Sequence, residues 1–315
     1  MLTHVLFLFL GLVLLVKGAD WLVSGGSATA RRLRMSELAI GLTIVAFGTS
    51  APELVVNVIA ASDGLPAIVY GNIIGSNNFN LFVILGLAGI ISPLAVQRST
   101  VWAEIPISLL AILVLAVLSG TLHLGGIDVL SRTDALIMLL LFAGFLVYVA
   151  RSLKAAPGDE GEVGPLKSWT WTIGLTAAGL AGLILGGRLV VDHAVSMATT
   201  LGVSKEVIGL TIVAAGTSLP ELATSMVAAV RRNTDIAIGN VVGSNIFNVL
   251  LIMPISAMVR PISYDPVFLR DMVWCAAGTL FLFGAMFLGK RQVLQRWQAA
   301  GLVMAYVLYT AMLIG

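Results

Sequence analysis

Apolar runs of about 20 residues follow one another along the whole chain, separated by short polar connections. A helix of that length is what the hydrocarbon core of a bilayer requires. Such runs are predicted to be helices over residues 3–30, 36–61, 66–92, 101–120, 127–150, 170–198, 204–230, 234–258, 267–289 and 297–314. The pattern therefore predicts an all-α membrane protein with ten transmembrane helices.

One extended polar stretch interrupts this pattern between the fifth and sixth runs. Its centre reads AAPGDEGEVGP, and Pro, Gly and acidic residues together are typical of a short flexible linker. It divides the chain into a first five-helix unit at 1–150, a linker at 151–169 and a second five-helix unit at 170–315.

The two units repeat a sequence. GLTIVAFGTSAPEL at 41–54 returns as GLTIVAAGTSLPEL at 209–222, with 12 of the 14 positions identical. GNIIGSNNFN at 71–80 returns as GNVVGSNIFN at 239–248, at the same offset of 168 residues. The first motif thus covers 41–80 and the second 209–248. Because five helices are an odd number, the second unit must enter the membrane from the opposite side. The sequence predicts two inverted five-helix repeats, as in secondary transporters whose site lies near the midplane.

Basic residues indicate the orientation. Lys and Arg are concentrated in alternate connections, beginning with Arg31, Arg32 and Arg34 after the first run. Connections rich in these residues stay in the cytoplasm. The linker is then cytoplasmic, both termini are extracytoplasmic, and the expected location is the cell membrane.

Composition narrows the function classes further. Hydrophobic residues make up 58% of the chain and charged residues 11%, whereas a soluble protein has roughly 25% charged residues. The net charge of +2 gives no indication of a nucleic-acid partner. The single cysteine, Cys275, cannot form an intramolecular disulfide, and His4, His123 and His193 share no ligand spacing. With neither HExxH nor a serine–histidine pair in a suitable context, no enzyme and no cofactor are expected. The expected partner is the lipid bilayer, and a monomer is the expected state.

Two acidic residues, Glu53 and Glu221, fall near the middle of predicted helices and occupy the same place in the two motifs. A carboxylate at the bilayer centre costs several kcal/mol, so it is expected to face a partner, a cavity or an ion. Neither motif contains a Lys or Arg that could pair with it. Cation binding or proton exchange is therefore favoured over a packing role and over a carboxyl that stays protonated.

A proline precedes each acid, at Pro52 and Pro220. Proline removes a helical hydrogen bond and clashes with the preceding turn, so the first of these helices is predicted to bend or open near residues 48–50. Carbonyl groups freed there can face a cation, and broken backbone at this depth is tolerated only in a cavity or inside protein. The predicted contributors beside the acids are Ala46, Thr49, Ser50, Ala214, Thr217 and Ser218.

A polar stripe with a spacing of four residues lies on the third and eighth predicted helices. Its members are Asn72, Ser76, Asn80, Asn240, Ser244 and Asn248. Alone, such a stripe could simply hold helices together, but beside a glutamate it is expected to supply ligands. The donors are all oxygens, which suit hard cations. Two carboxylates match the charge of Ca²⁺, Na⁺ accepts the same oxygens, and Mg²⁺ is less favoured because it dehydrates reluctantly.

The paired motifs resemble those of the sodium/calcium exchanger family. The resemblance covers essentially the whole chain, and the absence of a large cytoplasmic domain is similar to prokaryotic members. It implies that Glu53 and Glu221 bind Ca²⁺ with the carbonyls of Thr49 and Thr217. It also implies flanking Na⁺ sites, with Asn80 and Asn248 lining the middle and the first and sixth helices sliding as a gate. The groups implied for Na⁺ are the hydroxyls of Ser50, Ser76, Ser218 and Ser244 and the carbonyls of Ala46 and Ala214.

At position 248 this chain has Asn, whereas some members of the family that it resembles have Asp. The missing acid makes K⁺ co-transport less expected. The expected function is Na⁺/Ca²⁺ antiport by alternating access. Exchange of H⁺ for Ca²⁺ or another divalent cation is the first alternative, and a cation channel is a distant one.

Two further acids, Asp20 and Asp192, lie on the first and sixth predicted helices at positions that do not correspond in the repeat. A structural role is expected for both. Lys17, three residues before Asp20, is its predicted partner on the same helix face.

Overall fold

The computed structural model describes residues 2–120, 128–152, 168–201 and 214–314. The helices of the first half are α1 (Leu2–Leu33), α2 (Glu37–Thr49), α3 (Ala51–Ser62), α4 (Pro66–Ile91), α5 (Thr100–Leu118) and α6 (Arg132–Ser152). Those of the second half are α7 (Trp169–Thr200), α8 (Leu219–Val230), α9 (Thr234–Val259), α10 (Pro266–Ala285) and α11 (Arg296–Ile314). The predicted all-α membrane fold is confirmed.

Among the described residues, seven helices are long and apolar enough to cross a membrane, and the bent pair α2–α3 makes an eighth. Helix α11 coincides with the tenth predicted run, and α8 with the end of the seventh. The beginning of that seventh run, and most of the predicted linker, lie outside the described residues.

The predicted break in the second run is present at Ser50. Helices α2 and α3 meet there at an angle of 48°. Ser50 has φ −84° and ψ 6°, and Pro52 occupies the first turn of α3, where a missing N–H is tolerated. Ser218 has nearly the same dihedrals, φ −88° and ψ 6°, before the proline of α8. The same sequence therefore gives the same break in both halves.

Helices α4 and α9 also correspond. Each changes from α-helical to π-helical winding at the end of its polar stripe, at Phe79–Ile84 and Asn248–Ile252. π-Helical turns of this kind are often found at functional sites, because the extra residue redirects the side chains around it. Helix α9 is buried over most of its length, which places it at the centre of the molecule.

Two short antiparallel ribbons join the halves. Strand β1 (Leu94–Ala95) pairs with β4 (Val293–Leu294), and β2 (Val129–Leu130) pairs with β3 (Ile262–Ser263). Each ribbon takes one strand from each half. Both partners of a ribbon must lie on the same side of a bilayer, so the ribbons fix the relative placement of the connections that carry them.

Helices α1 and α7 pack along each other over most of their length. This close approach is possible only because glycines stand where the two backbones meet. A Cβ on Gly18 would lie 2.7 Å from the Leu183 backbone nitrogen and 2.8 Å from the Gly179 carbonyl oxygen. Small residues at such a seam are how membrane helices bring their backbones together.

Candidate cation-binding site

The two predicted acids lie at the start of α3 and α8, each immediately after its helix break. Glu53 is 1% exposed and Glu221 is fully buried. Both occupy the first helical turn, where unpaired backbone N–H groups give the helix end a partial positive charge that favours a carboxylate. Proline and glutamate therefore act together, because the break creates the helix end at which the acid sits.

Two serines cross between the broken helices. The Ser50 hydroxyl donates to Glu221 Oε1 at 2.8 Å, and the Ser218 hydroxyl donates to Glu53 Oε1 at 3.3 Å. Each serine ends the break in front of one acid and bonds to the acid of the other half. The two motifs, 168 residues apart in sequence, thus form one site.

Helices α4 and α9 each add one hydroxyl to the cluster. The Ser244 hydroxyl donates to Glu221 Oε1 at 3.4 Å, whereas Ser76 Oγ lies 3.1 Å from the Ser218 hydroxyl, which shares its single proton between Ser76 and Glu53. All four predicted serines are brought together. Because a hydroxyl both donates and accepts, each could turn its lone pairs towards a cation without moving away.

The predicted threonines contact the polar stripes. The Thr49 hydroxyl donates to Asn240 Oδ1 at 3.0 Å, and the Asn72 amide donates to the Thr217 hydroxyl at 3.2 Å. The Ala46 carbonyl accepts from the Ser50 backbone N–H at 3.0 Å. The Thr49 hydroxyl oxygen lies 3.2 Å from the same carbonyl, and its single proton is shared between that carbonyl and Asn240 Oδ1. Ala214 stands at the edge of the described residues, so the role of its carbonyl stays a prediction.

Two side-chain amides donate hydrogen bonds to the backbone carbonyls of the two glutamates. The Asn57 side chain donates to the Glu53 carbonyl at 2.7 Å, and the Asn240 side chain donates to the Glu221 carbonyl at 3.2 Å. The same Asn240 amide donates to Ser225 at 2.9 Å. Asn57 and Ser225 were not among the predicted residues. Their signal was present, since each lies four residues after its glutamate.

Four asparagines lock the π-helical turns together. Asn80 Nδ2 donates to Asn245 Oδ1 at 3.1 Å, and Asn248 Nδ2 donates to Asn77 Oδ1 at 3.0 Å. Asn77 and Asn245 each donate to the other's backbone carbonyl, at 3.2 and 3.3 Å. These bonds use the amide nitrogens of Asn80 and Asn248 and leave their oxygens for another contact.

Five buried acceptor oxygens of this cluster have no donor among the described residues: Asn57 Oδ1 and four that correspond between the two halves. The four are Glu53 Oε2, Glu221 Oε2, Asn80 Oδ1 and Asn248 Oδ1. A buried acceptor without a partner costs roughly 1–3 kcal/mol, and more if it is charged. The four oxygens come in corresponding pairs from the two halves, and carboxylate and amide oxygens are ligands of hard cations. The donor set fits a cation.

The structure also reveals contacts that sequence spacing did not predict. Glu104 is a third fully buried carboxyl, and it accepts a hydrogen bond from the Tyr148 hydroxyl. His4 and His193 meet across the α1–α7 seam, with their Nδ1 atoms 3.0 Å apart. The prediction that Lys17 pairs with Asp20 is wrong. Asp20 pairs with Arg231, which the fold brings to α1 from the end of α8.

Comparison with known proteins divides the chain at the same place as the sequence repeat does. The sequence profile of the sodium/calcium exchanger protein family matches residues 3–151 and 171–315, and so covers both halves. The chain belongs to this family. The match stops and resumes at the predicted linker, which agrees with the repeat in the sequence.

Individual family relatives match over nearly their full length. CaxA of Alkalimonas amylolytica, described as a proposed antiporter, is 38% identical over 99% of each chain. The sodium/calcium exchanger MaX1 of Methanosarcina acetivorans is 31% identical over 98% of this chain and 97% of its own. The solved structure of the sodium-calcium exchanger NCX_Mj, soaked with Na⁺ and Ca²⁺, superposes with a TM-score of 0.85 at 32% identity, covering 99% and 98% of the two chains.

Proposed function

We propose that this chain is a secondary antiporter that exchanges Na⁺ for Ca²⁺ across the membrane by alternating access. One observation carries the proposal: four buried carboxylate and amide oxygens, in corresponding pairs from the two halves, lack hydrogen-bond donors among the described residues. The names of MaX1 and NCX_Mj as sodium/calcium exchangers support the choice of ions. Every side chain of the site comes from one chain, which supports a monomer as the working unit.

The proposed architecture has ten spanning helices in two inverted repeats, at 1–150 and 170–315, joined by a cytoplasmic linker. Support comes from the helices that carry the acids, because α3 and α8 begin and end at corresponding positions, 168 residues apart. The ribbons between the halves are compatible with this arrangement. The distribution of basic residues supports extracytoplasmic termini in the cell membrane.

The proposed mechanism follows from the charge of the site. With Ca²⁺ or Na⁺ bound, the charges of Glu53 and Glu221 are compensated, and the gate formed by α1 and α7 can slide past the site. Without a cation, the apolar surface of the gate would have to pass two uncompensated carboxylates, which is expensive in a low-dielectric medium. The serines would respond by turning their hydroxyls, donating to the acids in the empty site and accepting a cation in the loaded one. Exchange is thereby favoured over leak.

Na⁺ is preferred to H⁺ as the counter-ion because of the neutral oxygens. A proton would need only the carboxylates, whereas Ser76, Ser244, Asn80 and Asn248 supply further oxygens that suit a coordinated metal ion. Proton exchange through the same glutamates remains the second candidate, and the co-ion of CaxA is not given by its name.

Transport by the purified protein in liposomes tests the proposal. With Na⁺ loaded inside, an outward Na⁺ gradient is expected to drive Ca²⁺ uptake, and an ionophore that dissipates the Na⁺ gradient should stop it. Protein-free liposomes provide the control. Uptake that follows an imposed pH gradient and ignores Na⁺ would replace the proposal with H⁺/Ca²⁺ exchange.

Replacing Ser50 by Ala is expected to weaken apparent Ca²⁺ affinity about 5- to 10-fold, since the hydroxyl beside Glu221 that is proposed to turn towards the bound cation is removed, at a cost of about 1–1.5 kcal/mol. Ser218→Ala should behave similarly because its bond to Glu53 is the counterpart. The measurement is the Ca²⁺ concentration that gives half-maximal exchange. Ser62→Ala is the matched control, since that exposed hydroxyl bonds only to the Val58 carbonyl. Equal affinities for Ser50→Ala and Ser62→Ala would contradict the assignment.

A further inference from the structure

One ion pair joins α1 to the end of α8. The Arg231 guanidinium contacts the Asp20 carboxylate and also donates to the Ser24 hydroxyl at 2.7 Å. Asp20 belongs to the α1–α7 unit, and Arg231 belongs to the helix that carries Glu221. The pair therefore connects the glycine seam to the cation-binding site.

The turn that holds Arg231 has a counterpart after α3. Arg231 ends α8 with its N–H bonded to the Val227 carbonyl at 3.0 Å, and Asp63 ends α3 with its N–H bonded to the Ile59 carbonyl at 2.9 Å. The next residue has positive φ in both turns, 57° at Arg232 and 71° at Gly64. The two turns have the same backbone and opposite side-chain charges.

The seam between α1 and α7 supplies the second correspondence. A Cβ on Gly11 would lie 2.9 Å from the Gly186 carbonyl oxygen, and one on Gly179 would lie 2.9 Å from the Gly18 carbonyl oxygen. Adding 168 to 11 gives 179, and adding 168 to 18 gives 186, so the two contacts exchange under the repeat. In that register Asp20 corresponds to Arg188.

Under the repeat, Asp20 and Arg231 correspond to Arg188 on α7 and Asp63 at the end of α3, with the two charges exchanged. Arg188 and Asp63 are not paired here, since both side chains are exposed and neither has a charged partner within 4.0 Å among the described residues. The packing is consistent with this difference, because α1 packs along α8, whereas α7 contacts α8 and the end of α2 more than it contacts α3.

We propose that Arg188 and Asp63 form the second ion pair when the α1–α7 unit moves, so that the two end states are each closed by one of these pairs. The inference rests on the alternating access proposed above. The charge of the helix ends supports this proposal, because the partial negative charge at a helix C-terminus favours Arg231 at the end of α8 and disfavours Asp63 at the end of α3. A positively charged partner such as Arg188 would relieve the unfavourable placement of Asp63. Arg188 and Asp63 are then positioning residues for transport.

Neighbouring charges define the competing explanation. The Arg260 guanidinium lies over Gly64, next to Asp63, so Arg260 is the other candidate partner of that acid. Asp192 lies one turn beyond Arg188 on α7 and could also attract it. Neither forms an ion pair with these residues in the described structure.

Cross-linking tests the closure directly. In a Cys275→Ala background, Asp63→Cys with Arg188→Cys is expected to be joined by a short bismaleimide in active protein, and exchange should then stop. Asp63→Cys with Val190→Cys is the control, because Val190 lies against Gly11 in the seam. No cross-link in protein that exchanges ions, or equal cross-linking in the control, would overturn the inference. Absence of Na⁺-driven uptake by the wild-type protein would instead remove the proposed function, and a cross-link specific to Asp63→Cys with Arg188→Cys would leave the closure standing.

Charge reversal supplies the second test. Asp63→Asn and Arg188→Gln are each expected to lower the maximal exchange rate about two- to five-fold, which is the effect expected from losing an exposed ion pair. The Ca²⁺ concentration that gives half-maximal exchange should change little, because neither residue belongs to the cation-binding site. The double variant Asp63→Arg with Arg188→Asp should restore the rate, which a merely structural role would not do. If the double variant fails and Arg260→Gln reproduces Asp63→Asn, the partner of Asp63 is Arg260 and the inference is wrong.

Discussion

Replacing Glu221 by Gln is expected to abolish Na⁺-driven Ca²⁺ uptake. The change keeps the shape of the side chain but removes one of the two buried negative charges that face the proposed cation. Removing one partner of a buried charge pair costs roughly 3–5 kcal/mol, which corresponds to a loss of at least about 100-fold. Glu53→Gln should have a similar effect, because the two acids are bonded to each other's serines.

A surface acid provides the matched control for this experiment. Asp265 is exposed, and its carboxylate accepts from the Val267 N–H, a bond that Asn can also accept. Asp265→Asn is therefore expected to keep uptake near the wild-type rate. Uptake by Glu221→Gln within about two-fold of that control would contradict the role of the acid pair.

Replacing Gly18 by Leu is expected to produce the second largest effect. Its Cβ would meet backbone atoms of Leu183 and Gly179 at 2.7 and 2.8 Å, and backbone cannot rotate away as a side chain can. Helices α1 and α7 would separate. Overpacking of this kind costs about 1–3 kcal/mol, so the melting temperature should fall and exchange should be largely lost.

The control is a glycine on the same helix pair that has free space. Nothing lies within 4 Å of a Cβ built on Gly174, so Gly174→Leu should leave melting and exchange close to wild type. Both variants are measured by thermal unfolding and by Ca²⁺ uptake in liposomes. Normal melting and normal exchange for Gly18→Leu would show that close contact at the seam is not required.

Much of the fold was predictable because the membrane makes polar side chains and broken helices costly. A glutamate beside a proline in an apolar run indicates a helix break with a partner, and its repetition in the second half of the chain indicates that the two breaks meet. The bend at Ser50 and the crossed contacts of Ser50 and Ser218 agree with that reasoning.

Other contacts could not be predicted, because they depend on how distant helices cross. The pairing of Asp20 with Arg231 joins residues 211 positions apart, and sequence proximity pointed to Lys17 instead. The His4–His193 contact spans 189 positions for the same reason. Glu104 was overlooked because it stands near the start of its helix, where solvent was expected, yet it is fully buried. The partners of Asp20 and His4 and the burial of Glu104 are set by helix packing and not by position within an apolar run.

The most direct test of the account is diffraction from crystals of this protein grown with Ca²⁺. The account predicts a metal peak about 2.3–2.6 Å from Glu53 Oε2 and Glu221 Oε2, which is lost when Na⁺ replaces Ca²⁺. Asn80 Oδ1 and Asn248 Oδ1 should border the same site, directly or through water. A Ca²⁺ peak elsewhere, with both carboxylates remote from it, would contradict the account.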